Sequence, residues 1–412
     1  MSKRVLILGA GFEFCGLVKK AKAMDCYTVV CDGYPDAPAK ELADKAYTVD
    51  IHCIDEIVKI CKQEMVDNIV TSFSDILFEY MIKISAKAGL PCYVDPAMIS
   101  AYRDKFETKT VCKKVGIHVP KFIILKKNFT DDQISEFHFP CVIKPINGYG
   151  SRGLKVVHNI QEIRDNFSGS DVYEQGEILM EEMSRGQELN VMGYVIDGKV
   201  HIISIADRKT QQVWDNYIPV LYAVSYPSRS YDLVHDRLSE MLSKFVAYTG
   251  QKEGPIATQC FWNGTEIEVC EIAGRYFGFE HELVEYCNGF DIEQLLLDQR
   301  YNPERAKSAV LALNAKGTHC STGIYLQSVR NGEISNQNAL RDLAKLPEVA
   351  HSVLFYEDGE NVGLFGPKQY AARYFLVTDA PEEMNKVERC LFTQASMLST
   401  SGEELLWKPT LT

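Results

Sequence analysis

The stretch Asn147-Gly148-Tyr149-Gly150-Ser151-Arg152-Gly153 sets three glycines behind an apolar run that carries Lys144, and Lys155 follows. Glycine lets backbone N–H groups approach phosphate oxygens with no Cβ in the way, and Lys144 adds a point charge. The segment reads as a phosphate cradle. The plain alternative is a flexible hairpin tip. It is no Walker loop, because no Gly-Lys-Ser/Thr follows and the loop joins two strands rather than opening a helix.

Two acidic segments follow. In Met180-Glu181-Glu182-Met183-Ser184-Arg185-Gly186-Gln187-Glu188, Glu181 and Glu188 bracket a short turn between strands. A nucleotide needs backbone groups for its adenine edge and a carboxylate for its ribose hydroxyls. Such a linker offers both, although a solvated acidic turn would read the same. Further on, residues 258–271 form a hairpin pattern about Asn263-Gly264. That turn sets Gln259 and Glu271 on neighbouring strands and the same face. One carboxylate and one amide oxygen, completed by phosphates and waters, suit octahedral Mg²⁺. Arg275, just past the strand, is placed to steady a transferring phosphoryl group. An ordinary surface cross-strand pair is the competing reading.

Two further signals are weaker. Tyr102-Arg103-Asp104-Lys105 opens a helix, and a lysine in a first helical turn opposes the helix dipole, which points to an anion nearby. Gly9-Ala10-Gly11, Gly16 and Asp32 resemble a dinucleotide fingerprint. Phe14, however, stands where the third glycine belongs. The turn reads instead as structural, or as helping to hold a small substrate.

These residues need a scaffold, and the hydrophobic pattern supplies one. Residues 4–8, 27–31, 47–49 and 68–71 read as short strands, with helices over 17–24, 54–63 and 76–88 between them. This is a parallel α/β domain. A helix over 105–115 follows, ended by Gly116. Strands over 122–125, 139–144, 155–157, 178–182, 188–196, 200–206, 258–262 and 266–271 then dominate, with an Asp197-Gly198 hairpin turn among them. The first ~95 residues read as one α/β domain.

Bulk properties narrow the function. The chain has 412 residues, 46% hydrophobic and 24% charged, enough for several cores. A formal net charge of -12 argues against nucleic-acid or anionic-membrane partners. None of the 13 cysteines forms a CxxC pair, which points to reduced thiols in a cytoplasmic protein and against zinc. No apolar run reaches the roughly 18 residues of a membrane span.

In order and spacing these motifs resemble the ATP-grasp superfamily, particularly the branch with biotin carboxylase, the carbamoyl-phosphate synthase large chain and the L-amino-acid ligases. The resemblance covers roughly 3–300 as motifs. It implies an α/β and α+β multidomain ATP-grasp fold with a Rossmann-like pre-ATP-grasp domain over 1–104, then 105–300 (a lid-containing part over 105–183 and a metal and substrate part over 184–300), then a C-terminal α/β subdomain over 301–412. It makes Lys105 and Lys144 the ATP-phosphate lysines, and Gly148, Tyr149, Gly150, Ser151 and Gly153 the phosphate lid. Glu181, Glu182 and Met183 match the adenine linker, and Glu188 the ribose position. Gln259 and Glu271 match two ligands of Mg²⁺ (or Mn²⁺), and Arg275 and Glu280 face the reacting acyl group. One position departs from the pattern: where the family places an asparagine ligand, this chain has Ala273.

The implied activity is an ATP-dependent carboxylate–amine ligase working through an acyl phosphate. A bicarbonate-using carboxylase or carbamoyl-phosphate-type enzyme, and a degenerate nucleotide-binding protein, are the alternatives; an NAD oxidoreductase ranks below them. Small-molecule carboxylate and amine substrates are the expected partners, and relatives of this kind are often homodimers. Residues 210–230, with Trp214, Tyr217, Tyr222, Tyr226 and Arg229, are aromatic-rich and belong either to a substrate surface or to the core.

Overall fold

The computed structural model describes residues 3–145, 153–169, 176–215, 217–363, 368 and 370–411. The chain opens with a parallel four-stranded sheet in the order Lys45–Thr48, Tyr27–Asp32, Arg4–Leu8, Asn68–Val70. Helices Cys15–Ala23, Ile54–Gln63 and Asp75–Ala88 fall between or after these strands. The helix Asp75–Ala88 stops at Gly89, whose φ of 71° is open to glycine at little cost.

The glycine pattern of the first turn serves packing. A Cβ on Gly16 would lie 2.3 Å from Glu293, and one on Gly9 2.6 Å from the Phe14 ring. Asp32 accepts from the backbone N–H groups of Ala10 and Tyr34 at 2.9 and 2.8 Å. Its two oxygens tie together the turns that follow the first two strands, a structural role for Asp32.

A second, antiparallel sheet runs Phe122–Lys126, Glu177–Glu182, Cys141–Pro145, Lys155–Val157. Helix Ile160–Gly169 packs Ile163 and Phe167 with Leu125, Ile143 and Met180 of this sheet. The predicted hairpin of 139–144 with 155–157 is present, with Cys141 opposite Val157.

The largest sheet has eight antiparallel strands: Ile267–Ala273, Glu253–Trp262, Gln187–Ile196, Lys199–Gln211, Val220–Tyr226, Cys320–Leu326, Ala372–Thr378 and Val349–Leu354. It runs unbroken past residue 301, so the division expected there crosses a continuous hydrogen-bonded sheet. Helix Tyr231–Thr249 presents Val234, Leu238, Leu242, Phe245 and Val246 to it, a helical apolar stripe. Leu189, Val191 and Cys260 join the same core. Strand alternation therefore turns Glu188, Asn190 and Gln259 to the other face. Among the described residues no helix is long and apolar enough to cross a membrane.

Candidate active site

That other face forms the floor of a cleft of about 1040 Å³ between the two antiparallel sheets and the N-terminal parallel unit. Lys105, Lys144, Glu181, Glu182, Met183, Glu188, Gln259, Glu271, Arg275 and Glu280 all line it. Gly148, Tyr149, Gly150 and Ser151 lie outside the described residues. Gly153 is described, with φ 74°, and does not line the cleft.

Lysines gather at one wall. Asp104 caps the helix Lys105–Lys114 by accepting from the N–H groups of Phe106 and Glu107, which puts Lys105 in its first turn. Lys109 follows one helical turn later on the same side. It is 1% exposed and donates to the Cys270 carbonyl at 2.9 Å. Lys144 lies 2.7 Å and Lys109 3.4 Å from Glu181 Oε1.

Burial alone would neutralise these groups. For Lys144 it is outweighed, chiefly by Glu181, and the ammonium's pKa moves up. For Glu181 burial is outweighed by Lys109 and Lys144, and the carboxyl moves down. Burial and the nearby Lys144 push Lys105 down, against Glu271 and Glu181. The carboxylate of Glu181 is thus turned to the lysines, not to a purine edge. The Glu182 side chain faces outward, accepting from the His138 N–H at 2.9 Å.

Across the floor, Gln259 stands opposite Glu271 on one side and Asn190 on the other. Gln259 donates its amide N–H to Glu188 Oε1, and Arg208 Nε donates to the same oxygen at 2.9 Å. Burial raises the pKa of Glu188, partly offset by Arg208 and Gln259. Among the described residues no three His, Cys, Asp or Glu side chains form a metal-binding group. The donors present are oxygens, few and carboxylate-poor. That fits Mg²⁺ completed by phosphates and water better than an all-protein cage.

Arg275 and Glu280 occupy the segment after the last floor strand. Arg275 is 8% exposed and forks onto Asp75, with Nε–Oδ1 2.9 Å and Nη2–Oδ2 2.7 Å. Burial works against the Asp75 charge, but Arg275, Arg103 and Lys105 hold its carboxyl below the usual range. Glu280 accepts from Asn190 Nδ2 at 2.8 Å and from the Tyr226 hydroxyl at 2.5 Å. Burial raises its pKa, which Tyr226, Arg208, Asn190 and Arg275 moderate. Tyr226 is accordingly a core residue of this network, whereas Tyr222 packs on Phe392 and Trp407.

The far end of the cleft holds an arginine that sequence reasoning missed. Arg373 is 2% exposed and lies 3.8 Å from the Phe279 ring centre and 5.2–5.4 Å from those of Tyr370, Phe355 and Tyr325. Among the described residues it has no ion-pair partner, and its Nε has no hydrogen-bond acceptor. Asp75, Lys109, Asn190 and Arg208 were missed as well. Lys109 had a signal, its spacing of four from Lys105. Asp75 had another, its place just beyond the carboxyl end of a parallel strand.

The model of the ATP-grasp domain family matches residues 137–280, and that of the PylC-like N-terminal domain matches residues 5–89. The formate-dependent phosphoribosylglycinamide formyltransferase of Sulfurisphaera tokodaii is 26% identical over 199 residues, 47% of this chain and 50% of that protein. The chain thus matches about half the length of such relatives. An L-amino acid ligase from Bacillus licheniformis superposes with TM-score 0.81 at 16% identity, covering 97% of this chain and 99% of that one. The biotin carboxylase domain of the Hydrogenobacter thermophilus 2-oxoglutarate carboxylase, solved with MgADP, ADP and bicarbonate, superposes with TM-score 0.71 at 15% identity, covering 96% and 90%. The ATP-grasp match lies over the lysine-bearing sheet and the cleft floor, and the fold is shared along nearly its whole length with these solved structures, so residues 137–280 form an ATP-grasp domain.

Proposed function

We propose that the protein is an ATP-dependent ligase that phosphorylates a substrate carboxylate and joins the acyl phosphate to an amine, releasing ADP and phosphate. The observation that carries this reading is the convergence on one cleft of Lys105 and Lys144, the Gln259–Glu271 pair and Arg275. Nucleotide phosphates bind at the lysine wall. Lys105 and Lys144 offset their charge, while Glu181 keeps Lys144 protonated. Mg²⁺ at Gln259 and Glu271 supplies charge neutralisation between the phosphates when bound.

The substrate carboxylate attacks the γ-phosphorus, and the amine then attacks the acyl carbon and expels phosphate. Arg275 donates to the developing negative charge from a position that Asp75 fixes. Water, which would hydrolyse the acyl phosphate, would have to be excluded by the glycine loop. Arg373, caged by rings and with no carboxylate in ion-pair contact among the described residues, favours a substrate with an anionic group at that end. We place the lid over the phosphates at 147–153 and the protein in the cytoplasm.

The test is ADP release against paired small acids and amines, with mass spectrometry of the products. Release that needs both partners supports the ligase. Release that needs bicarbonate alone would replace it with a carboxylase. Unchanged ATP binding by Lys144→Ala in calorimetry would remove the nucleotide site itself.

A further inference from the structure

On the cleft floor the side chains form rungs across three strands. One rung reads Met192–Ala257–Ala273, wholly apolar. The next, on the same face, reads Asn190–Gln259–Glu271, and every member carries an oxygen donor. Facing Cβ atoms on such a rung lie about 4.5–5.5 Å apart, within reach of a shared cation.

The two amides of this rung are held in one orientation. Gln259 commits its nitrogen to Glu188, which leaves its Oε1 as the atom for a cation. Asn190 commits Nδ2 to Glu280 Oε1 at 2.8 Å, and Tyr226 holds the other Glu280 oxygen. The Asn190 Oδ1 atom is left buried and, among the described residues, without a hydrogen-bond partner, in a residue only 2% exposed. A buried acceptor without a partner is costly, and a water or an ion bound there would satisfy it.

We propose that Asn190 Oδ1 is a ligand of the divalent cation that accompanies the nucleotide, supplying from the far side of Gln259's strand an amide oxygen that Ala273 lacks. This rests on the nucleotide-binding reading above. Oxygen is the right donor for Mg²⁺ or Mn²⁺, and a neutral amide leaves the carboxylate count low, as phosphate-assisted sites require.

Mn²⁺ binding to the ADP-saturated full-length protein, followed by the electron paramagnetic resonance of free Mn²⁺, tests this. Asn190→Ala and Asn190→Leu are each expected to weaken Mn²⁺ by about tenfold or more. ADP affinity in the absence of metal should stay within about twofold of wild type, which also reports that the variants are folded. Wild-type Mn²⁺ affinity in both variants, alongside its loss in Glu271→Gln, would overturn the Asn190 assignment and leave the nucleotide site standing. No Mn²⁺ binding by wild type, with or without ADP, would overturn both.

The single variant Ala273→Asn gives a readout that needs no change at Asn190. If Asn190 already provides the oxygen, Mn²⁺ tightens by less than about threefold. A gain of about tenfold or more means that the position is vacant and the proposal wrong. Restoration of Mn²⁺ affinity in the double variant Asn190→Ala/Ala273→Asn would tie the two positions to one ligand role.

Discussion

Arg275 and Asp75 are 200 residues apart in sequence, yet they meet in a two-pronged ion pair with contacts of 2.9 and 2.7 Å. The arginine extends the cleft floor, while the aspartate starts the helix Asp75–Ala88, which follows the edge strand Asn68–Val70 of the N-terminal parallel sheet. The N-terminal unit therefore fixes the orientation of a cation in the cleft. Asp75→Asn keeps the shape and removes the charge. We expect kcat to fall by about 10–100-fold, with nucleotide affinity little changed, in steady-state kinetics and calorimetry. The Asp75 carboxyl is depressed in the fold, so its stabilisation is complete above the ordinary aspartate value of about 3.9 and fades as pH falls below it. The stability gap between Asp75→Asn and wild type should be full at pH 7 and shrink in strong acid.

Glu181 neutralises a pair of buried lysines, so its removal strands positive charge. Chemical denaturation of Glu181→Gln is expected to show a loss of about 3–5 kcal/mol. Adding Lys144→Met should recover part of that loss, because the uncompensated charge leaves with it. A double variant no more stable than Glu181→Gln alone would mean that Lys109 already carries the pairing.

Arg373 should act on one substrate only. Arg373→Met is expected to raise KM for the anionic substrate by about 10–100-fold while leaving ADP affinity unchanged. Arg373→Lys keeps the charge but loses the planar stack on Phe279, and should recover only part of the effect. Equal losses for both substrates and for ADP would remove Arg373 from substrate recognition.

His281 stacks on Phe73 at 4.6 Å, and burial pushes its pKa down to about 4, despite Glu293 nearby. The fold therefore prefers the neutral ring. This stability is complete above the free-histidine value of about 6.5 and is lost as pH falls toward 4. Wild type should lose on the order of 3 kcal/mol over that window from this group. His281→Phe keeps the stacking and should flatten the loss, as thermal unfolding across pH would read.

Local signals carried most of what the sequence revealed. The Asn263-Gly264 turn announces the hairpin whose strands bear Gln259 and Glu271, while a register shift between Gln259 and Cys260, which no turn residue signals, brings Gln259 opposite Glu271. Asp104 caps its helix through adjacent backbone, so Lys105 could be placed from four residues. What stayed illegible depends on contacts between distant segments. Nothing near Asn190 names Glu280, and nothing near Glu188 names Arg208. Glu181 lies in a strand, as its sequence pattern implies, hydrogen-bonded on both sides opposite Phe122 and Val142; what its sequence neighbours do not name are Lys109 and Lys144, the partners that make its buried charge tolerable. The first glycine turn reads as structural from the misplaced third glycine, and the close approach of Gly16 to Glu293 is the distant contact that the sequence does not name.

The eight-stranded sheet that crosses residue 301 also governs how the chain can be divided. Strand Val220–Tyr226 is hydrogen-bonded along one side to Cys320–Leu326, whose other side holds Ala372–Thr378. A fragment stopped near residue 300 would expose a bare seven-residue edge, an invitation to pair with other copies. It would also lack Tyr325 and Arg373, which wall the cleft from those later strands. The C-terminal region is therefore not a cassette to be exchanged or trimmed: the reaction vessel and the strands that close it were built as one piece.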